Sequence, residues 1–292
     1  FGLYDDNDGW VEKLLEDVTF ENPTCQATDN DGVTHRLWRI TDDETVNAIV
    51  AALEDEPIFI ADGHHRYETA LNFMKEEKSR VEAAGGTWTG GEPANRVLMM
   101  CVSTSDDGLV VLPTHRLIKN VSLDEVAKLQ DALEPHFEIE LIATEGDAET
   151  QARALMGRVN APSPTPQIGM HIDGQSYLLK LREGDAHLPH MESNKSDAYN
   201  QLDVSVLHTL ILEKELGIDK EKLAAGQHVS YTINPVEAME KVNSGEYSVA
   251  FLLRPTPTEQ VQAVAAAGDK MPQKSTYFYP KLYTGLVLRP LD

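Results

Sequence analysis

Strands and helices alternate along this chain, which predicts an α/β protein with a mixed sheet, α+β being the alternative. Three observations carry the prediction. Short apolar runs such as Pro57-Ile58-Phe59-Ile60-Ala61 end at Gly, Asp or Pro. Stretches with apolar residues three or four apart, such as Trp10, Val11, Leu14 and Leu15, lie between them. At 41% hydrophobic and 25% charged, the 292 residues have a globular composition and suffice for one large domain or two ordinary ones.

The elements follow in order. Residues 8–18 read as a helix, Asn30-Asp31-Gly32 as a turn, and 33–40 as an alternating strand with Trp38 and Ile40. Thr41-Asp42-Asp43-Glu44 supplies an N-cap and first-turn acids for a helix over 43–54. Strand 57–61 stops at Asp62-Gly63, and a helix runs from about 64 to 80. After a Gly-rich loop at 84–95, strands 97–103 and 109–112 are expected to pair around Asp106-Asp107-Gly108. Helices at 122–134 and 147–158 flank a strand at 137–143.

Ala161-Pro162-Ser163-Pro164-Thr165-Pro166 reads as a linker and predicts domains at 1–160 and 167–292. Beyond it come a hairpin of 167–172 and 176–181, helix 197–216, strand 228–233, helix 235–243, strand 247–253, helix 257–268 and a strand from about Leu282.

The net charge of −23 argues against nucleic acid as a partner, because counterion release needs a basic face. No run approaches the roughly 18 apolar residues of a membrane span, and no secretory leader opens the chain. Cys25 and Cys101 lack metal-ligand spacing and read as reduced thiols. A cytoplasmic location is therefore expected, with homo-oligomerisation left open. Position 1 is Phe, not Met, so the natural start is expected upstream.

The chemistry centres on Asp62-Gly63-His64-His65-Arg66. A strand ends there and a helix begins at once. The first N–H groups of a helix lack internal partners, carry partial positive charge and attract anions. Gly63 lets a ligand approach the backbone, and Arg66 can grip a phosphate bidentately. Three potential cations in a first turn, where acids normally sit, make sense around a bound anion. Asp62 can cap the helix, orient a histidine, bind Mg²⁺ or act as a base. Adjacent His64 and His65 diverge by about a quarter-turn, a poor arrangement for one zinc ion. A cap for Asp62 and a partner for Arg66 in Asp62 or Glu68 are the plainer alternatives.

Two further clusters are Pro113-Thr114-His115-Arg116 and Thr34-His35-Arg36, the latter inside a strand where neighbours face opposite ways. Lys274, Ser275 and Thr276 offer phosphate donors but lack the Gly-x-x-x-x-Gly-Lys spacing of a P-loop. Asp203 and His208 fall on one helix, where a buried hydrogen bond explains Asp203 as well as catalysis does. Neither Gly-x-Ser-x-Gly nor Gly-x-Gly-x-x-Gly occurs, which removes serine-hydrolase and Rossmann dehydrogenase readings.

Ile60-Ala61-Asp62-Gly63-His64-His65-Arg66-Tyr67-Glu68-Thr69-Ala70 and Met271-Pro272-Gln273-Lys274-Ser275-Thr276-Tyr277-Phe278-Tyr279-Pro280-Lys281 resemble a prokaryotic family catalogued as domain of unknown function one-thousand-and-fifteen. Leu112-Pro113-Thr114-His115-Arg116 and His35-Arg36-Leu37-Trp38 fit it too. Its members are sometimes labelled ParB-like and usually carry a further N-terminal segment.

The Asp-Gly-His-His-Arg turn is similar to the nucleotide-phosphate turn of the superfamily of CTP-binding partition proteins, sulfiredoxin and free-serine kinases. Position 64 is His where sulfiredoxin's motif places Cys, so that chemistry is excluded. The resemblance implies a ParB/sulfiredoxin-like core at 1–160 with a second α/β domain. It also implies a phosphotransferase or phosphatase on a small hydroxylated metabolite, serine/phosphoserine being favoured because family genes lie beside serine-biosynthesis genes.

In that reading Gly63, His64, Arg66, His115, Arg116, Lys274, Ser275 and Thr276 hold phosphate or nucleotide. Asp62 and His65 handle protons, Asp62 takes Mg²⁺, and ATP or ADP is the second reactant. A ParB-like nucleotide-binding regulator, or a scaffold without turnover, is the alternative.

Overall fold

The computed structural model describes residues 1–292 apart from 7, 31, 185, 186, 280, 282, 284 and 292. The chain is α/β and packs as two units, one of residues 1–110 with 278–292 and one of residues 111–277.

In the first unit the order is β1 (Gly2–Tyr4), α1 (Trp10–Thr19), β2 (Cys25–Thr28), β3 (Thr34–Leu37), α2 (Asp43–Leu53), β4 (Phe59–Ile60), α3 (His64–Ala83) and β5 (Cys101–Ser103). Asp42 starts α2 by accepting from the Thr45 N–H at 2.7 Å, as its N-cap sequence predicts. β1 is the middle of a mixed three-stranded sheet. It runs antiparallel to β4, with Gly2 opposite Ile60, and parallel to β5, with Gly2 opposite Cys101. β2 and β3 form a separate antiparallel hairpin.

β6 (Val110–Leu112) spans the boundary to the second unit. There follow β7 (His115–Ile118), α4 (Leu123–Leu133), β8 (Phe137–Leu141), α5 (Ala148–Val159), β9 (Gln167–Ile172) and β10 (Gln175–Leu181). Then come α6 (Asp197–Asn200), α7 (Asp203–Val206) with a π-helix at Leu207–Glu213, α8 (Lys220–Ala225) and β11 (Val229–Thr232). α9 (Pro235–Asn243), β12 (Val249–Leu252), α10 (Thr258–Ala266) and β13 (Tyr277–Tyr279) complete the order.

Six strands make one antiparallel sheet in the order β11-β7-β12-β9-β10-β8. Alternating side chains leave by opposite faces and build two cores. Ile118, Met170 and Phe251 pack with Val206, Leu207 and Leu210 on one face. Leu117, Ala250 and Leu252 pack with Leu155 and Val159 of α5 and Met239 of α9 on the other.

Several expectations change here. Strands at 101–103 and 110–112 do not form a hairpin, because β5 takes the free edge of β1. The continuous helix expected over 197–216 is interrupted at 201–202, and from Asp203 it passes from α-helix directly into the π-helix. Ser196 caps α6, and the Asp203 carboxylate is held outside it by Arg254 at 2.6 and 3.1 Å and by the Gln167 N–H at 3.2 Å. The Pro-rich stretch 161–166 lies inside the second unit, joining α5 to β9, and the compact units divide at 110/111. The strand expected from Leu282 begins outside the described residues, and 285–287 is turn and bend.

Candidate functional site

β4 delivers the turn. The Phe1 carbonyl accepts from the Ala61 N–H at 2.9 Å, and the Phe1 nitrogen donates to the Asp62 carbonyl at 2.9 Å. These bonds fix the chain up to Asp62. Gly63 then turns at φ 88° and ψ 29°, left-handed geometry that glycine adopts without strain, and α3 starts at His64. No side chain caps this helix and no acid occupies its first turn. The Tyr67 N–H donates to the Gly63 carbonyl at 3.0 Å, closing the first turn.

Charged groups surround the turn. Lys281 Nζ lies 2.9 Å from Asp62 Oδ2, and Arg66 Nη2 lies 3.9 Å from Oδ1. The Arg66 guanidinium folds back over Gly63, so a Cβ there would stand 2.8 Å from Nη2. Partial burial works to raise the Asp62 pKa. The Lys281 ammonium, the Gly63 N–H and the Arg66 charge outweigh it and hold the carboxyl below its usual range. Arg66 is 80% exposed, so its guanidinium is open to a ligand. His65 is exposed too, its Nδ1 3.6 Å from Glu68 Oε2. His64 is half-buried at the head of the helix.

A cation at Asp62 competes with Lys281 for Oδ2. Among the described residues, no group of three or more His, Cys, Asp or Glu stands ready to hold a metal ion. The residues at the turn do not form a Mg²⁺ cage by themselves, and no step below runs through a metal.

The other expected site residues belong to the second unit. His115 and Arg116 are fully buried in β7. His115 Nδ1 accepts from the Leu253 N–H at 3.2 Å, and burial, then the Arg116 charge, pushes its pKa down to about 4. It is a neutral core histidine. Arg116 donates to the carbonyls of Thr114, of Gln273 at 3.3 Å and of Lys274 at 2.9 Å, and its guanidinium lies 5.5 Å from the Tyr231 ring. Burial pushes its pKa down to about 10, so it stays charged at neutral pH. With no surface exposed, it faces the chain's own carbonyls, not solvent. Lys274 is exposed and Thr276 half-buried. Ser275 is buried, its hydroxyl donating to the Pro272 carbonyl at 2.6 Å.

The structure thus gathers Asp62, Gly63, His65 and Arg66 at one turn, and Arg116, Lys274 and Ser275 at another. Lys281 at the first turn is the residue that sequence reasoning missed. It closes the quoted C-terminal motif, but 219 positions separate it from Asp62, and no spacing rule reaches that far.

Among solved structures, the chain is similar to a conserved hypothetical protein from Pyrococcus furiosus, at 14% identity and a TM-score of 0.37, covering 94% of this chain and 85% of that one. It is also similar to a free serine kinase in complex with AMP, at 13% identity and a TM-score of 0.33 over 95% of this chain and 83% of that one. A mutant free serine kinase in complex with ADP matches at 12% identity and a TM-score of 0.35, with the same 95% and 83% coverage. No curated protein matches the sequence. The model of the family described as "Protein of unknown function (DUF1015)" matches residues 1–205, and the chain belongs to that family.

Proposed function

We propose that this protein is a phosphotransferase or phosphatase acting on a small hydroxylated metabolite, with serine/phosphoserine as the favoured pair and ATP or ADP as the nucleotide. One observation carries the reading. An uncapped helix N-terminus without a first-turn acid is ringed by Arg66, Lys281 and the ionised Asp62. A phosphate supplies the missing negative charge at such a helix start.

In this reading the first N–H groups of α3 and the Arg66 guanidinium hold the transferring phosphate, with Gly63 allowing close approach. Lys281 leaves Asp62 for a phosphate oxygen as the ligand arrives. Asp62, ionised at neutral pH, or His65 then accepts the proton of the attacking hydroxyl. Phosphoryl transfer asks mainly for positioning and charge stabilisation, which this inventory supplies.

The test is phosphorus NMR on phosphoserine with the protein, Mg²⁺ and an ADP/ATP mixture. Free phosphate as product identifies a phosphatase; nucleotide phosphate growing at phosphoserine's expense identifies a kinase. Arg66→Ala should abolish either signal while far-ultraviolet circular dichroism stays unchanged. Wild-type turnover in Arg66→Ala would place the phosphate elsewhere. An unchanged wild-type spectrum would end the serine assignment in favour of the nucleotide-binding regulator.

A further inference from the structure

The second unit holds a cavity of about 540 Å³ between the end of α5, the loop 161–165 and the strands β8, β9 and β10. That volume suits a small metabolite. The strand register sets the floor. Lys180 of β10 lies opposite Glu138 of β8 on one side and Gln167 of β9 on the other. Cross-strand partners turn to the same face, and adjacent strands lie about 4.8 Å apart. One rung therefore presents an acid, a cation and an amide side by side, and all three line the cavity. Leu178, two positions before Lys180, turns to the same face, joins Leu155 and Val159 of α5 in one core and gives the cavity an apolar wall.

The fold leaves these polar groups with capacity to spare. One Glu140 oxygen serves two cations, Arg158 Nη2 at 2.8 Å and Lys180 Nζ at 3.7 Å. Arg182 also lines the cavity, and its Nε donates to the Glu134 carbonyl at 3.1 Å, with no carboxylate paired to it among the described residues. Glu138 has no ion-pair partner among the described residues either.

Gln167 is the most telling of the set, because it is 1% exposed and still reaches the cavity. Its Nε2 donates to the carbonyls of Val159 at 2.7 Å and Ala161 at 2.5 Å, which fixes the amide's orientation. No described residue donates to its Oε1. A buried acceptor without a donor is costly, and a ligand N–H removes that cost. The rim is preset as well. Pro162, Pro164 and Pro166 fix φ along the loop, and the Ser163 hydroxyl donates to the Thr165 carbonyl at 2.8 Å. A preset rim lowers the ordering cost of binding.

We propose that this cavity binds a free α-amino acid with an uncharged side chain. An anion alone would face Glu138, and a cation alone would face Lys180 and the two arginines. A zwitterion complements both sets at once. Its carboxylate takes Lys180 and the Nη groups of Arg182. Its ammonium donates to Gln167 Oε1, with Glu138 supplying counter-charge from across the rung. Its side chain lies along Leu178 and the prolines. The site falls within one unit, uses none of the residues at the Asp62 turn and does not rest on the phosphate reaction.

Titration calorimetry on the full chain, without nucleotide or Mg²⁺, tests this with glycine, L-alanine, L-leucine and L-methionine. At least one should bind with a Kd of about 1 mM or tighter. For the tightest of them, the analogue lacking the ammonium and the analogue lacking the carboxylate should each bind at least about tenfold more weakly. Lys180→Met and Glu138→Gln should each weaken binding by a similar factor. Their melting temperatures should match the wild type, since Lys180 is half-buried and Glu138 exposed. If either variant fails to fold, the analogue series on the wild type decides.

No binding of any of the four amino acids overturns the proposal. Wild-type affinity in both variants does so too, by placing the amino acid elsewhere. Equal binding of either single-charge analogue overturns the zwitterion assignment and the proposal with it.

Discussion

Gly63 stands where no other residue fits equally well. Its φ of 88° is left-handed, and the Arg66 guanidinium fills the space a side chain would need. Gly63→Ala should cost about 1–2 kcal/mol in backbone strain and push Arg66 off the turn. Chemical denaturation reads the first effect, and loss of phosphate turnover in the NMR assay reads the second. Full stability and full turnover in this variant would remove the close-approach role from Gly63. The pentad was legible because glycine, histidines and arginine at a strand-to-helix turn break the usual charge rule for helix starts. Lys281 was not, because tertiary packing alone brings it to Asp62. Arg116 stands out in the sequence as a member of a polar cluster, but its sequence neighbours do not reveal its complete burial.

At the scale of elements, periodic segments were read well. The helices at 43–53, 148–159 and 235–243 and the hairpin of β9 and β10 follow their patterns closely. β7 was missed, although it sits between β11 and β12 in the large sheet. Its four residues, His115-Arg116-Leu117-Ile118, are all buried. Two are polar, which hides the apolar signature of an interior strand. The helix expected at 197–216 reads as continuous because its apolar spacing persists through the break, whereas Asp203 is pinned by Arg254. Packing between elements is tight at Gly169 in β9, where a Cβ would lie 2.9 Å from Val159 Cγ2 and 3.1 Å from Leu155 of α5. Gly169→Ala should therefore destabilise by about 1–3 kcal/mol, measured by urea unfolding. A neutral result would mean α5 withdraws freely from the sheet.

The whole molecule carries −23 charges, yet its response to acid is set first by histidines. Burial depresses His115 to about 4 and His208 to about 3, the charge of Arg116 adding in both cases. His171 is lowered by burial against the opposing Asn243 hydrogen bond, and His136 by burial with Lys214. In the unfolded chain these groups titrate near 6.5. Above that pH both states are neutral and stability is intact. As pH falls the unfolded state takes protons first, so stability drops, by up to about 1.4 kcal/mol per pH unit for each histidine, until the folded pKa is reached. Urea midpoints should decline from about pH 6.5 towards 4, and His115→Leu should flatten that slope. A midpoint constant over this window would contradict the burial of these histidines.

The division of the chain adds a consequence in time. Residues 111–277 are contiguous, whereas the unit bearing Asp62 takes up residues 278–292 from beyond them in the chain. Asp62 is therefore made 219 positions before its lysine partner. A chain cut short before Lys281 carries the turn without its lysine, and under the proposed function it would lack that phosphate partner.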